Sequence, residues 1–183
     1  MSNTKALHAR PVRQFHQLFV TMLDMMPKKL HRVVAYLEMF TWTFLIVGMI
    51  LKYSGVTEAV VPVAGGIHGF GFLCFIFITA LVWINNRWSV GIGIVGLVVS
   101  VIPWAALPFA TWADRKGLLE GGWRFHNRDE KPQGLFDNVL AQVVRHPVRS
   151  ILIVLVIVII VFSVLLYLGP PVDVESAIEG QTN

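Results

Sequence analysis

Apolar and polar positions alternate along this chain on the scale of whole helices. The stretch Val60 to Ile84 carries His68 as its only ionisable side chain. At about 1.5 Å per residue it is long enough to cross a hydrocarbon core of about 30 Å. Within it, Gly65-Gly66-Ile67-His68-Gly69-Phe70-Gly71 strips helix faces of bulk around an imidazole, so helices are expected to pack there. An earlier apolar run, about Val33 to Lys52, is flanked by Lys28, Lys29, His31 and Arg32 on one side and Tyr53 on the other. It predicts a first span, with Ser54-Gly55-Val56-Thr57 as the turn to the second. Trp83, Arg87 and Trp88 mark the water interface where the second span ends. A third run, about Ser89 to Ala113, has Gly91, Gly93 and Gly96 in its first half and Pro103 and Pro108 in its second, which predicts a kink. Ser150 to Leu168 is a nearly unbroken Ile, Val and Leu run that predicts a fourth, peripheral span, ended by Gly169-Pro170-Pro171.

Two further stretches carry helical periodicity with polar faces. From Pro11 to Met26 the residues Val12, Phe15, Leu18, Phe19, Met22, Leu23 and Met26 recur at spacings of three and four, which predicts a helix lying in the interface or capping the bundle. Between Gly134 and Pro147, Leu135, Phe136, Val139, Leu140, Val143 and Val144 predict a second interfacial helix. The expected fold is therefore all-α: a polytopic membrane bundle of four transmembrane helices with two interfacial amphipathic helices. Residues 1–30 form the tail and first amphipathic helix, 31–119 a three-helix membrane domain, 120–149 a polar loop with the second amphipathic helix, 150–168 the fourth span, and 169–183 an acidic tail. Small pairs four apart, Gly65 and Gly69, Gly96 and Ser100, and Ala106 and Ala110, are the candidate packing faces of the three-helix core.

Composition agrees with that pattern and closes off other classes. With 55% hydrophobic and 14% charged residues and a mean hydropathy of +0.66, the chain is too apolar for an ordinary soluble domain, where about a quarter of residues are charged. The net charge of +4 does not argue for nucleic acid, because the Lys and Arg residues flank apolar segments as membrane-surface anchors do. Cys74 is the only cysteine, which excludes intramolecular disulfides and multi-cysteine metal sites. No cleavable signal peptide is expected, and the first membrane helix would serve as an uncleaved targeting signal.

Orientation is where the four-span pattern conflicts with charge. Four spans put seven Lys or Arg on one side and eight on the other, so the excess of cytoplasmic basic residues cannot choose a side. Both basic blocks would be cytoplasmic only with an even number of crossings between them. One way out is a re-entrant third segment, tolerable where protein buries it.

Glu38 and His68 are the ionisable groups expected well inside spans, and such groups are candidate functional sites. An antiparallel pair of helices brings them within reach if each helix start moves by a few residues, and His68 donating to Glu38 would then form an intramembrane polar clasp. A proton relay through the same two groups is the alternative, although neither internal repeats nor further intramembrane polar groups support a transporter. For haem or metal at His68, Met39 and Met49 are weak second ligands, since the other histidines lie outside the expected core. Lys52 is expected to snorkel, and most tryptophans to form an interfacial belt. His126, Asp129 and Glu130 read as a solvated loop.

Over about residues 31–119 the chain resembles the YdzA-like group of small bacterial integral membrane proteins, a domain of unknown function. The likeness rests on Arg32 and Ala35-Tyr36-Leu37-Glu38 opening the first helix, Leu51-Lys52-Tyr53 closing it, Gly66-Ile67-His68-Gly69, Arg87-Trp88, and Pro103 before Asp114-Arg115. The resemblance implies a compact three-helix module and brings no activity, cofactor or substrate.

Phosphate loops, His-Glu-x-x-His pairs and nucleophile elbows are absent from the sequence. The expectation is a non-enzymatic accessory or scaffold subunit of a larger bacterial membrane complex, respiratory assemblies being one host class. It would be multi-pass in the plasma membrane, with lipid and other membrane subunits as partners, and with no catalytic residues, metal, cofactor, nucleic acid or soluble substrate. The alternative is a small transporter or proton-linked channel using Glu38 and His68.

Overall fold

The computed structural model describes residues 26–127 and 129–168, and all regular structure among them is helical. The helices are α1 (Pro27–Tyr53), α2 (Val60–Asn86), α3 (Val90–Val98) continued by one 3-10 turn (Val99–Val101), α4 (Ala106–Arg115), α5 (Leu135–Arg145) and α6 (Pro147–Leu168). The expected amphipathic helix at 11–26 and the acidic tail lie outside the described residues, apart from Met26. The chain divides into two units at Val148 and Arg149, and all but the first two residues of α6 belong to the second.

Pro27 sits at the first helical position of α1, where its missing N–H costs no hydrogen bond and its fixed φ suits the helix. The helix therefore starts six residues before the expected Val33 and takes in Lys28, His31 and Arg32. A tight turn through Gly55, at φ 73°, returns the chain as α2. At its far end Arg87 adopts a left-handed conformation, with its N–H on Ile84 O (3.4 Å) and the Trp88 N–H on Trp83 O (3.1 Å), the paired bonds of a Schellman ending.

The third apolar stretch is a hairpin of two short arms. Pro103 has no N–H to continue a helical ladder, Trp104 turns at φ 61°, and Ala105 N–H closes the bend on Ile102 O at 3.1 Å. Pro108, also expected to kink the stretch, falls in the first turn of α4, where a proline is tolerated. Both feet of the hairpin lie at one end of the α1–α2 pair. Asp114 at the end of α4 pairs with Lys28 and Arg32 of α1, and Trp88 Nε1 donates to Leu118 O at 2.7 Å. The tip meets the middle of α1, where Trp42 Nε1 donates to Ser100 O (3.2 Å) and Trp104 Nε1 to Thr43 Oγ1 (2.9 Å). Counted along α1 from Arg32, Thr43 is about 16 Å deep.

The expectation of four spans is corrected accordingly. Two helices, α1 and α2, are long and apolar enough to cross a membrane, or three spans are present if the helices on either side of His146 count together as one broken span. A sequence window averages hydropathy over Ser89 to Ala113 without registering that the chain reverses at Pro103.

Apolar clusters fix these elements to one another. Val34, Ala35, Phe75, Ala106 and Ala110 pack where α1, α2 and α4 meet. Val82, Trp88, Phe109, Ala113 and Leu119 fill the end that carries the hairpin feet. Beyond them, Leu81 of α2 packs on Phe125, Leu140 and Ala141, so the segment after α4 folds onto the end of α2. Arg124 holds it there, with both oxygens of Asp137 at 2.9 Å and Ile84 O at 3.1 Å, and Asn85 reaches Gly122 O and accepts from Arg124 N–H.

The ion pair at the hairpin foot makes a pH dependence testable. Hydrogen bonding to Lys28 and the charges of Lys28 and Arg32 hold the Asp114 carboxyl below the usual carboxylate range. A group depressed in the folded state adds stability above its unfolded value of about 3.9 and loses that stability as pH falls through the folded value. The acid limb of thermal stability below about pH 4 is expected to be shallower in Asp114→Asn than in the parent. Identical limbs would mean that the foot contributes nothing.

Candidate functional site: a buried carboxyl between two helices

The inner face of α1 is a stripe of His31, Val34, Ala35, Glu38, Thr41 and Gly48, all buried, and spaced at three, four or their sum. Opposite it α2 presents Ala64, His68, Gly71, Phe75 and Thr79 at the same period. The antiparallel pairing sets His31 against Thr79, Glu38 and Thr41 against Gly71, and Gly48 against Val60 and Ala64. Gly71 is the close point of the crossing: a Cβ there would lie 3.0 Å from Thr41 Oγ1 and 3.4 Å from Glu38 Oε2. The polar residues thus share a face by helical period, and the register then decides which of them touch.

That register corrects the direct contact expected between Glu38 and His68. His68 lies opposite Thr41, with Nδ1 3.3 Å from Thr41 Oγ1, while Glu38 Oε1 and Oε2 are buried with no hydrogen-bond partner among the described residues. Thr41 Oγ1 donates to Glu38 O at 3.0 Å. Its single hydroxyl proton is then committed, so the His68 contact is an Nδ1–H donating to the hydroxyl oxygen. The His68 ring rests on Trp42, with centroids 4.3 Å apart, and Trp42 in turn reaches Ser100 at the hairpin tip. The carboxyl itself is fully screened from solvent by the chain.

A second polar pair was not anticipated. His31 was expected outside the core as a flanking residue, but it is fully buried, with Nε2 3.2 Å from Thr79 Oγ1 and Nδ1 unpartnered among the described residues. Its ring is enclosed by Phe75, Trp88 and Phe109, with centroids 5.6 to 6.2 Å away. The signal was present in the sequence, since His31 precedes Glu38 by two helical turns and shares its face. Only the early start of α1 at Pro27 makes that face helical.

The small residues take different places. Gly96 faces the Phe109 ring and Thr79, each 3.1 Å from where a Cβ would lie, closer than ordinary van der Waals contact, so a side chain there would need its neighbours to shift by a few tenths of an ångström. Ser100 is buried, with its hydroxyl on Leu97 O, and Ala106 and Ala110 are buried against α1 and α2. Gly69 lies on α2 beside His68. Gly65, by contrast, has no atom within 4 Å of a Cβ position, so the close contact expected of it is made instead by Gly48 and Gly71. Gly93, read only as part of a glycine-rich half, lies flat on the Trp83 ring, 2.0 Å from Cε2 at the Cβ position.

Among the described residues no three His, Cys, Asp or Glu side chains converge as a metal set would. Glu130 is engaged otherwise, accepting the Phe125 N–H at 2.8 Å. The arrangement holds a buried, unpartnered carboxyl on α1 and, from α2, an imidazole oriented by Thr41 and Trp42.

No solved structure matches the chain. A curated protein of Streptomyces coelicolor, named as a candidate membrane protein, is 38% identical over 88 residues, which are 47% of this chain and 10% of that protein. The chain thus matches about a tenth of that relative's length. The family match covers α1, α2 and the hairpin down to its foot, the same stretch that carried the resemblance seen in the sequence. Residues 28–115, just under half of the chain, match the family DUF3817, a domain of unknown function.

Proposed function

We propose that this chain is a non-enzymatic accessory or scaffold subunit of a larger membrane complex, multi-pass in a bacterial plasma membrane. The observation that carries the reading is how the related stretch occurs elsewhere: in the Streptomyces protein it makes up a tenth of a much longer chain. A stretch of this kind, similar to a small part of a longer membrane protein, behaves as an attachable module. The apolar surface of α1 and α2, with Phe40, Ile50, Val63 and Phe70 exposed, gives it area for lipid and for neighbouring helices. Purified in mild detergent, the tagged full chain is expected to bring one membrane partner in fixed stoichiometry through gel filtration. Recovery as a lone monomer or a homo-oligomer overturns the proposal.

The hairpin also removes the charge conflict of the four-span pattern. With the third stretch re-entrant, two crossings separate the start of α1 from the segment after α4. In the first unit, every described Lys and Arg except Lys52 then lies at one end, and that end is cytoplasmic by the excess of basic residues there. A cysteine at Gly121 and one at Glu58, each in a Cys74→Ala background, are expected to label from opposite sides of oriented vesicles, with Arg87→Cys labelling on the Gly121 side. Labelling of Arg87→Cys on the Glu58 side sinks this topology.

One observation favours a second reading. A buried carboxyl with no partner is costly in a purely structural role, and here Thr41 stands between it and an imidazole, bonded to Glu38 O and to His68 Nδ1, so a proton-linked channel or transporter centred on Glu38 and His68 is the competing function. Reconstituted vesicles would then show flux that disappears in Glu38→Gln and His68→Ala variants that remain folded. Equal flux in parent and variants removes this reading.

A further inference from the structure

The helix α5 uses only one of its two apolar faces inside the first unit. Leu140 and Ala141 are buried against Leu81 and Phe125, while Leu135, Phe136 and Val139 point away from that contact and are exposed, the first two by 74% and 70%. A helix that spends one apolar face on packing normally turns a polar face outward. Here a contiguous apolar wedge is left on the outside.

The depth of the helix says what covers that wedge. Its contact on α2, Leu81, lies about 8 Å along the axis from the end of α2 at Asn86, whose side chain already bonds the polar segment through Leu118 O and Glu120 O. The same level holds Trp88, Trp123 and the exposed Arg87, Arg115 and Lys116, the mixture of indole and cationic groups that marks a headgroup region. An apolar wedge at that level, beside a helix that spans the bilayer, faces acyl chains rather than water. The cations of the same end match the sign of anionic headgroups.

We propose that Leu135, Phe136 and Val139 form a membrane-anchoring surface, which seats α5 in the boundary between headgroups and acyl chains of the leaflet at the basic end of the protein. The bilayer is its partner. The anchor braces the Arg124–Asp137 junction, and with it the segment that covers the hairpin feet, against the membrane plane.

Two single-cysteine forms of the full chain, Phe136→Cys and Asn138→Cys in a Cys74→Ala background, test this. Both positions are exposed on α5, so neither change opens the core. Each is labelled with the environment-sensitive fluorophore NBD and reconstituted in vesicles of phosphatidylethanolamine and phosphatidylglycerol. The label at 136 is expected to emit to the blue of that at 138, to be quenched by a lipid-borne nitroxide, and to resist aqueous iodide about fivefold better, as an interfacial helix face should. Equal iodide quenching at the two sites overturns the proposal. Shielding at 136 in native membranes that is lost in pure lipid vesicles also overturns it, because a protein partner would then be the cover.

Discussion

Gly93→Ala is expected to lower stability more than any other single-methyl change in the described membrane helices. The new Cβ would fall 2.0 Å from Trp83 Cε2 and 2.1 Å from Cδ2, atoms in the middle of a rigid ring and not at the end of a flexible chain. The ring has little freedom to move, because Nε1 is committed to Trp88 O at 3.0 Å, inside the turn that ends α2. Overpacking costs about 1–3 kcal/mol, and loss of the indole bond adds about 1 kcal/mol. Cys74 is half-buried and is the only cysteine, so heating in the presence of a thiol-reactive dye reports unfolding directly. Gly65→Ala is the control. It meets no neighbour within 4 Å, and the better helix propensity of alanine should leave stability unchanged or raise it by up to about 1 kcal/mol. Equal loss in the two variants would mean that α3 does not lie on Trp83.

Glu38→Met is expected to act in the opposite direction. The side chain it replaces is fully buried with two oxygens that accept no bond, and an unsatisfied polar group of that kind costs about 1–3 kcal/mol. Methionine is close in length and flexible enough to fill the same space above Gly71. If the carboxyl has no functional partner, the variant melts higher and keeps its complex. If the carboxyl carries protons, the variant also melts higher but abolishes flux, the trade expected where a site holds strain for function. A lower melting point in the variant would mean that Glu38 is structurally satisfied in the folded protein, which neither reading allows. Glu38→Gln separates shape from charge, because it keeps a hydrogen-bonding end without the acid.

The two readings use the same helices, and their difference reduces to the surroundings of one side chain. His68 is oriented by Thr41 and Trp42, and these two reach Glu38 O and the hairpin tip. A scaffold needs that network to hold α1, α2 and the hairpin in register. A proton path would need the carboxyl to gain and lose contact with it.

Periodicity and composition alone were sufficient for the helical class, the membrane setting and the positions of α1, α2 and α5, because each rests on a local property: an apolar run long enough to cross, or a period of 3.6 with polar flanks. The polar candidates Glu38 and His68 were legible for the same reason, since a charge inside an apolar run stands out without knowledge of its neighbours. Which side chains meet was decided by tertiary structure. The start of α1 at Pro27 brought His31 inside, and the helix register gave His68 to Thr41, leaving Glu38 alone. Glycines that look equivalent in sequence differ completely in their surroundings, Gly65 open and Gly93 pressed on an indole. The reversal at Pro103 and Trp104 lay furthest from view: a run of apolar residues has the same hydropathy whether the chain goes on or turns back, and the contacts that fold it back, Asp114 to Arg32 and Trp104 to Thr43, join residues far apart in the chain.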